Sequence, residues 1–157
     1  MIRWAVFVSG EGSNLQNILD FESHLKNQTL DLVLANRVCP AIEKARQAKK
    51  KALILDGKSP DRAFEDLALE ACRAQAITHI FLLGFMKVLS QNFLRQWKGE
   101  ILNLHPSLLP AHKGLDAIRK SFEAGDSALG ISIHRVVSEL DSGEILFQAS
   151  LPREDSW

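Results

Sequence analysis

Ile2-Arg3-Trp4-Ala5-Val6-Phe7-Val8 runs straight into Ser9-Gly10-Glu11-Gly12-Ser13-Asn14, and this junction decides the fold. A near-continuous apolar run of strand length suits a strand buried on both faces, as parallel sheets require. The glycines after it permit a tight turn, and Ser13 opens a helical pattern. Outward from this unit the alternation repeats. Further strands are expected at Leu30 to Ala35, Ala52 to Leu55, Thr78 to Leu83 and Ile101 to Leu104. Helices are expected after Ser13, after Cys39 with Pro40 in the first turn, from Ser59-Pro60-Asp61, and from Ser90 to Lys98. A proline-bounded loop from His105 to Pro110 precedes a helix between Leu115 and Gly125. Two β-like runs follow, Ile131 to Val137 and Ile145 to Ser150, with a turn between them. The fold class is α/β: an open, mostly parallel, twisted sheet with helices on both faces.

The 157 residues fit one domain, with a nucleotide-binding-like half over 1–100 and a second half over 101–157. Nineteen Lys and Arg balance nineteen Asp and Glu, so no general field draws the chain to nucleic acid or to an anionic membrane. A small-molecule substrate is expected. The one cationic run, Lys49-Lys50-Lys51, reads as the end of a helix, where cations complement its dipole. The N-terminal apolar run is too short for a signal peptide or a membrane span, which points to the cytoplasm. Cys39 and Cys72 lack metal-like spacing and read as buried thiols in a reducing compartment.

Ser9 to Asn14 is not the full dinucleotide fingerprint, because a third glycine and a ribose-binding acid after the second strand are missing. Gly-Lys-Ser/Thr is missing too, which excludes a P-loop. What remains is a compact turn at a helix start, able to hold a single phosphate or similar anion with Gly12, Ser13 and Asn14.

Asn103 and His105 lie two residues apart at a strand end, so their side chains share one side of the sheet. An amide N–H can stabilise the oxyanion of a tetrahedral intermediate, and an imidazole can add charge or pass a proton. No serine or cysteine stands in a nucleophile elbow, so the attacking group would be the substrate's amine. The departing proton needs a carboxylate, and Asp141 in its glycine turn is the candidate. His105 and His112 do not have a standard metal spacing, and no metal is expected. His24 reads as a helix-surface residue, His79 as a strand start, and His134 as a packing or solvent-facing residue. Phe81 to Met86 could line a flat-ring pocket or simply fill the core.

Four segments in this order resemble the folate-dependent formyltransferase family, its purine-pathway branch most of all. They are Ser9-Gly10-Glu11-Gly12-Ser13-Asn14-Leu15-Gln16, Gly84-Phe85-Met86-Lys87-Val88-Leu89, Asn103-Leu104-His105-Pro106-Ser107-Leu108-Leu109-Pro110, and Leu140-Asp141-Ser142-Gly143. The resemblance spans nearly the whole chain and implies one formyltransferase domain. It implies that Asn103, His105 and Asp141 are catalytic and that the donor is 10-formyltetrahydrofolate. The acceptor it implies is glycinamide ribonucleotide, its phosphate on Gly12, Ser13 and Asn14. The folate would meet Met86, Lys87, Val88, Leu89 and Asn103, with Arg62 at its glutamate tail. Lys87 stands where the family commonly has Arg, which keeps the charge but loses the planar fork.

Related activities share parts of this pattern: methionyl-tRNA formyltransferases, sugar-nucleotide N-formyltransferases, formyltetrahydrofolate deformylases, and a non-catalytic folate- or phosphate-binding relative. The neutral charge and the length argue against the tRNA enzyme, and the glycine-serine-asparagine turn favours the purine branch over the sugar enzymes. The chain stops at Arg153-Glu154-Asp155-Ser156-Trp157, where the resemblance implies a continuation carrying an acid that holds the amine. Weak binding of glycinamide ribonucleotide beside detectable binding of a formylfolate is the corresponding expectation. The oligomeric state is left open.

Overall fold

The computed structural model describes residues 1–55 and 63–154. Its elements, in chain order, are β1 (Ile2–Val8), α1 (Ser13–Phe21), β2 (Gln28–Ala35), α2 (Pro40–Gln47), β3 (Lys51–Ile54), α3 (Phe64–Ala74), β4 (His79–Leu83), α4 (Gln91–Gln96), β5 (Glu100–His105), α5 (Ala117–Glu123), β6 (Ala128–Arg135) and β7 (Ile145–Pro152). The class is α/β. The chain divides into two compact units, Met1–Ile101 and Leu102–Trp157.

In the first unit the strands lie in the order β3-β2-β1-β4, and the pairings of β1 with β2, β1 with β4 and β2 with β3 are parallel. Parallel neighbours need crossovers, which α1, α2 and α3 supply. Burial on both faces accounts for the unbroken apolar runs: Ala5 to Val8 and Leu32 to Ala35 are almost fully buried. The helices answer with one apolar stripe each. In α2 it is Ala41, Ile42 and Ala45; in α3 it is Phe64, Ala68, Leu69 and Cys72. Phe7 sits at the centre of an aromatic group, with ring centroids 6.0 Å from Phe64, 5.5 Å from Phe85 and 6.4 Å from Phe93. Each such buried side chain stabilises the fold by about 1.5–3 kcal/mol.

Local capping agrees with the sequence at two starts and differs at other places. Cys39 precedes α2, with Pro40 in its first turn, and Ser90 Oγ accepts from Phe93 N at the start of α4. Helix α4 ends at Gln96 rather than Lys98, because Trp97 is extended. The expected start of α3 at Ser59-Pro60-Asp61 lies outside the described residues. The lysine run does not end a helix: α2 stops at Gln47, Lys49 turns the chain at φ 58°, and Lys51 opens β3. Lys50 instead pairs with Glu22 at 2.6 Å, while Lys44 and Arg46 occupy the last turn of α2. His24 falls in a short 3-10 turn, Glu22–His24, after α1. Cys72 is buried as expected, whereas Cys39 is only half-buried because it lies at a helix boundary.

In the second unit β6 pairs antiparallel with both β5 and β7. Asn103 stands opposite His134, and His105 stands opposite Ser132. Strand β6 starts at Ala128 and ends at Arg135, earlier at both ends than the sequence suggests. The early end has a cause. Arg135 N donates to Glu144 O, and a Cβ on Gly143 would lie 1.8 Å from the Arg135 carbonyl oxygen, so the return turn closes directly on the strand end.

Candidate active site

Both histidines and the carboxylate that form the centre of the site belong to the second unit. Strand β5 brings Asn103 and His105 to one side, as their spacing requires. The turn after β6 returns Asp141 to them. Asp141 adopts a left-handed backbone at φ 49°, and its side chain is almost fully buried.

Asp141 Oδ2 lies 3.5 Å from His105 Nδ1, and Oδ1 lies 3.4 Å from His134 Nε2. Gly114 N donates to Oδ2 at 2.8 Å, which fixes the carboxylate from the loop side. Lys113 Nζ donates to Ser142 Oγ at 2.7 Å, a second tie between the same loop and the Asp141 turn. Asn103 Nδ2 is 3.1 Å from His134 Nε2.

The outer ring contacts assign the inner ones. His105 Nε2 is 2.9 Å from the main-chain oxygen of His112, and His134 Nδ1 is 2.9 Å from that of Arg135. A carbonyl only accepts, so each of these nitrogens carries a proton. In the neutral rings His105 Nδ1 and His134 Nε2 therefore present lone pairs toward Asp141. The Asn103 amide satisfies the second by donating to it and keeps its other N–H for a further acceptor. Two imine nitrogens around one carboxylate leave an excess of acceptors, which a proton held among them relieves.

The loop between Pro106 and Gly114 is pinned through buried serines. Ser132 Oγ donates to Ser107 O at 2.7 Å and accepts from Leu109 N at 3.0 Å and from Gln148 Nε2 at 2.8 Å. Ser107 Oγ donates to Ala111 O at 2.6 Å. These bonds tie the loop that follows His105 to β6 and β7.

His134 was read from the sequence as a packing or solvent-facing residue, and the structure corrects this. It is 2% exposed and touches both Asn103 and Asp141. The available signal was Ser132 and His134 two apart in an otherwise apolar strand, matching the spacing of Asn103 and His105. Register between antiparallel strands, which sequence alone does not supply, makes the two pairs meet. Among the described residues no group of three His, Cys, Asp or Glu is arranged to hold a metal ion.

The other sequence-derived residues lie in the first unit. Gly12 precedes α1 at φ 72°, and a Cβ there would meet Ala41 Cβ at 2.6 Å, so glycine is required by conformation and by the close approach of α2. Ser13 and Asn14 are exposed at the start of α1. Ser9 Oγ donates to Asn36 Oδ1 at 2.7 Å and accepts from Met86 N at 2.8 Å, tying together the carboxyl ends of β1, β2 and β4. Leu82, Leu83 and Leu89 are buried and Phe85 joins the aromatic group, while Met86, Lys87 and Val88 are exposed. Arg62 lies outside the described residues.

In this α/β protein an amide, two imidazoles and a shared carboxylate come together in one cluster of the second unit. The family model described as formyl transferase matches residues 2–154, and the chain belongs to that family. It is 35% identical over 158 residues to phosphoribosylglycinamide formyltransferase of Bacillus subtilis (strain 168), a match covering 96% of this chain and 80% of that protein. It is 35% identical over 157 residues to the human trifunctional purine biosynthetic protein adenosine-3. That match takes in 96% of this chain but only 15% of the trifunctional protein's length. Among solved structures, glycinamide ribonucleotide transformylase 1 from Geobacillus kaustophilus superposes with a TM-score of 0.90 at 32% identity, covering 100% of this chain and 86% of that one.

Proposed function

We propose that the chain transfers a formyl group from 10-formyltetrahydrofolate to the amine of glycinamide ribonucleotide, a step of purine biosynthesis. The observation that carries this reading is the buried Asp141 carboxylate between His105 and His134, with Asn103 donating to His134. The name of the Bacillus subtilis relative at 35% identity supports the acceptor and the transferred group, and the family resemblance supplies the folate donor.

The amine nitrogen attacks the formyl carbon and forms a tetrahedral intermediate. Its oxyanion is stabilised by the free N–H of Asn103 and by the positive charge His105 carries when both ring nitrogens hold a proton. Asp141 accepts the proton that the ammonium centre gives up, and the ring nitrogens return a proton to N10 of the folate as the C–N bond breaks. No covalent enzyme intermediate and no metal enter these steps. The acceptor's phosphate would rest on Gly12, Ser13 and Asn14, where N–H groups at the start of α1 face an anion. Folate contacts are assigned in this reading to Met86, Lys87, Val88 and Leu89 in the first unit, to Asn103 in the second, and to Arg62 for the folate's tail. Residues 1–157 act in this reading as one formyltransferase domain, in the cytoplasm, where soluble metabolites of this kind are handled.

The test is an acceptor comparison at saturating donor. Loss of formyl donor should require an amine and should be fastest with glycinamide ribonucleotide. Equal consumption with water alone would assign hydrolysis instead, and preference for an amino-sugar nucleotide would reassign the acceptor.

A further inference from the structure

His112 takes no part in the proton cluster, yet it sits in a conformation that needs an explanation. Its backbone is left-handed at φ 53°, a region unfavourable for a non-glycine residue that persists only where the surroundings impose it. The same residue's carbonyl is the acceptor for His105 Nε2 at 2.9 Å.

Its side chain supplies the constraint. His112 Nε2 is 2.6 Å from Asp126 Oδ2, and Ser121 Oγ donates to that same oxygen at 2.6 Å. Asp126 is itself fixed behind α5, because Asp126 N donates to Ser121 O and Gly125 turns the chain at φ 72°. On the other side, Ala111 N donates to Leu108 O and Ser107 Oγ donates to Ala111 O. His112 is therefore held through its side chain and through Ala111 before it, with its carbonyl directed at His105 Nε2.

We propose that His112, anchored by Asp126 and Ser121, is a positioning residue that fixes the tautomer and orientation of His105 through its main-chain carbonyl. This rests on the reading of His105 as the catalytic imidazole. With the anchor in place the proton stays on Nε2 and the Nδ1 lone pair faces Asp141. Without it the His112 backbone relaxes out of the left-handed region and its carbonyl turns away. The Nδ1–H tautomer then gains ground, because Nδ1 already has a carboxylate to donate to. Donor binding does not involve this contact, so the loss falls on kcat rather than on the donor KM.

The experiment is nitrogen-15 NMR of histidine-labelled full-length protein, paired with formyl-transfer kinetics on the same samples. In the unsubstituted protein the neutral His105 ring should carry its proton on Nε2. His112→Ala should give a mixed tautomer signature and lower kcat by about ten- to a hundredfold, with donor KM changed less than about twofold. In His112→Gln the side-chain amide can donate to Asp126, and both readouts should return most of the way. Asp126→Asn, which leaves no cavity, should reproduce part of the alanine effect if His112→Ala folds poorly. A pure Nε2–H signature in both His112→Ala and Asp126→Asn would overturn the proposal, as would equal losses for the Ala and Gln variants. Because the tautomer is read without turnover, an inactive parent protein would count against the proposed reaction and leave the positioning claim to be judged by NMR.

Discussion

His105 Nδ1 faces Asp141 Oδ2 at 3.5 Å while the opposite nitrogen of the same ring is tied to a main-chain carbonyl, so the ring is aimed at the carboxylate and cannot swing away without losing a hydrogen bond. The pair is almost completely buried, with side-chain exposures of 6% and 5%. Removal from water strengthens any charge that develops between them.

His134 shares that carboxylate, so its loss should be felt twice. His134→Ala would leave the Asn103 amide without its buried acceptor, at a cost of about 1–3 kcal/mol in stability. Formyl transfer should slow as well, because Asn103 loses the contact that orients its amide. Urea unfolding together with steady-state kinetics would check both effects, and a variant normal in each would remove His134 from the site.

The glycine turn beside Asp141 has a specific steric demand. Gly143→Ala places a Cβ 1.8 Å from the Arg135 carbonyl oxygen, a backbone atom that cannot yield without moving the end of β6. A loss on the order of 2–4 kcal/mol is expected, with reduced activity because Asp141 lies in the same turn. Gly10→Ala is the control, since nothing lies within 4 Å of a Cβ there. Its unfolding midpoint should match that of the parent.

Hydrogen bonds from Ser121 and from His112, in that order of importance, hold the Asp126 carboxyl below its ordinary value of 3.8. A carboxyl lowered in the folded state stabilises the fold fully above its unfolded pKa, and that contribution disappears as pH falls through the folded value. Asp126→Asn should therefore be less stable than the parent by a constant amount above about pH 5. The two should converge only in strong acid, below the ordinary carboxylate range. Unfolding midpoints across this range would decide the matter, and a difference that grows above neutrality would contradict the assignment.

The two cysteines should differ in reactivity although neither is paired. Burial pushes the Cys72 thiol up to about 12, whereas Cys39 is half-buried at the start of α2. The thiolate is the nucleophile, so a thiol reagent at pH 8 should modify Cys39 and leave Cys72 untouched until the protein unfolds. Two equally fast equivalents in the native protein would contradict the packing described for α3.

Much of the fold was readable because parallel strands buried on both faces leave continuous apolar runs, and β1 has the bounds its sequence suggests. The ends of β6 were not readable, since they are set by Gly143 closing on Arg135 rather than by any change in apolar pattern. Strand spacing put Asn103 and His105 on one side of the sheet and the need for a carboxylate made Asp141 a candidate, but its position alone read as an ordinary turn, and the family resemblance was what paired it with His105. His134 escaped because its partners are fixed by the register of β5 against β6. His112 escaped because its contribution to His105 comes from its main chain, and no side-chain pattern encodes that. The lysine run was misread because α2 ends at Gln47, two residues before Lys49, whose left-handed backbone turns the chain toward β3.

The central claim is that His105 and Asp141 move the proton during formyl transfer, and the most direct test is single-turnover formyl transfer with both substrates saturating, comparing the parent with Asp141→Asn. The substitution keeps the size and removes the charge. The account predicts a fall of roughly two to four powers of ten in the chemical step, while the Kd of a non-reactive formylfolate analogue changes less than about threefold, as a loss confined to the transition state requires. A chemical step within a factor of about three of the parent's, or a loss explained entirely by weaker donor binding, would contradict it.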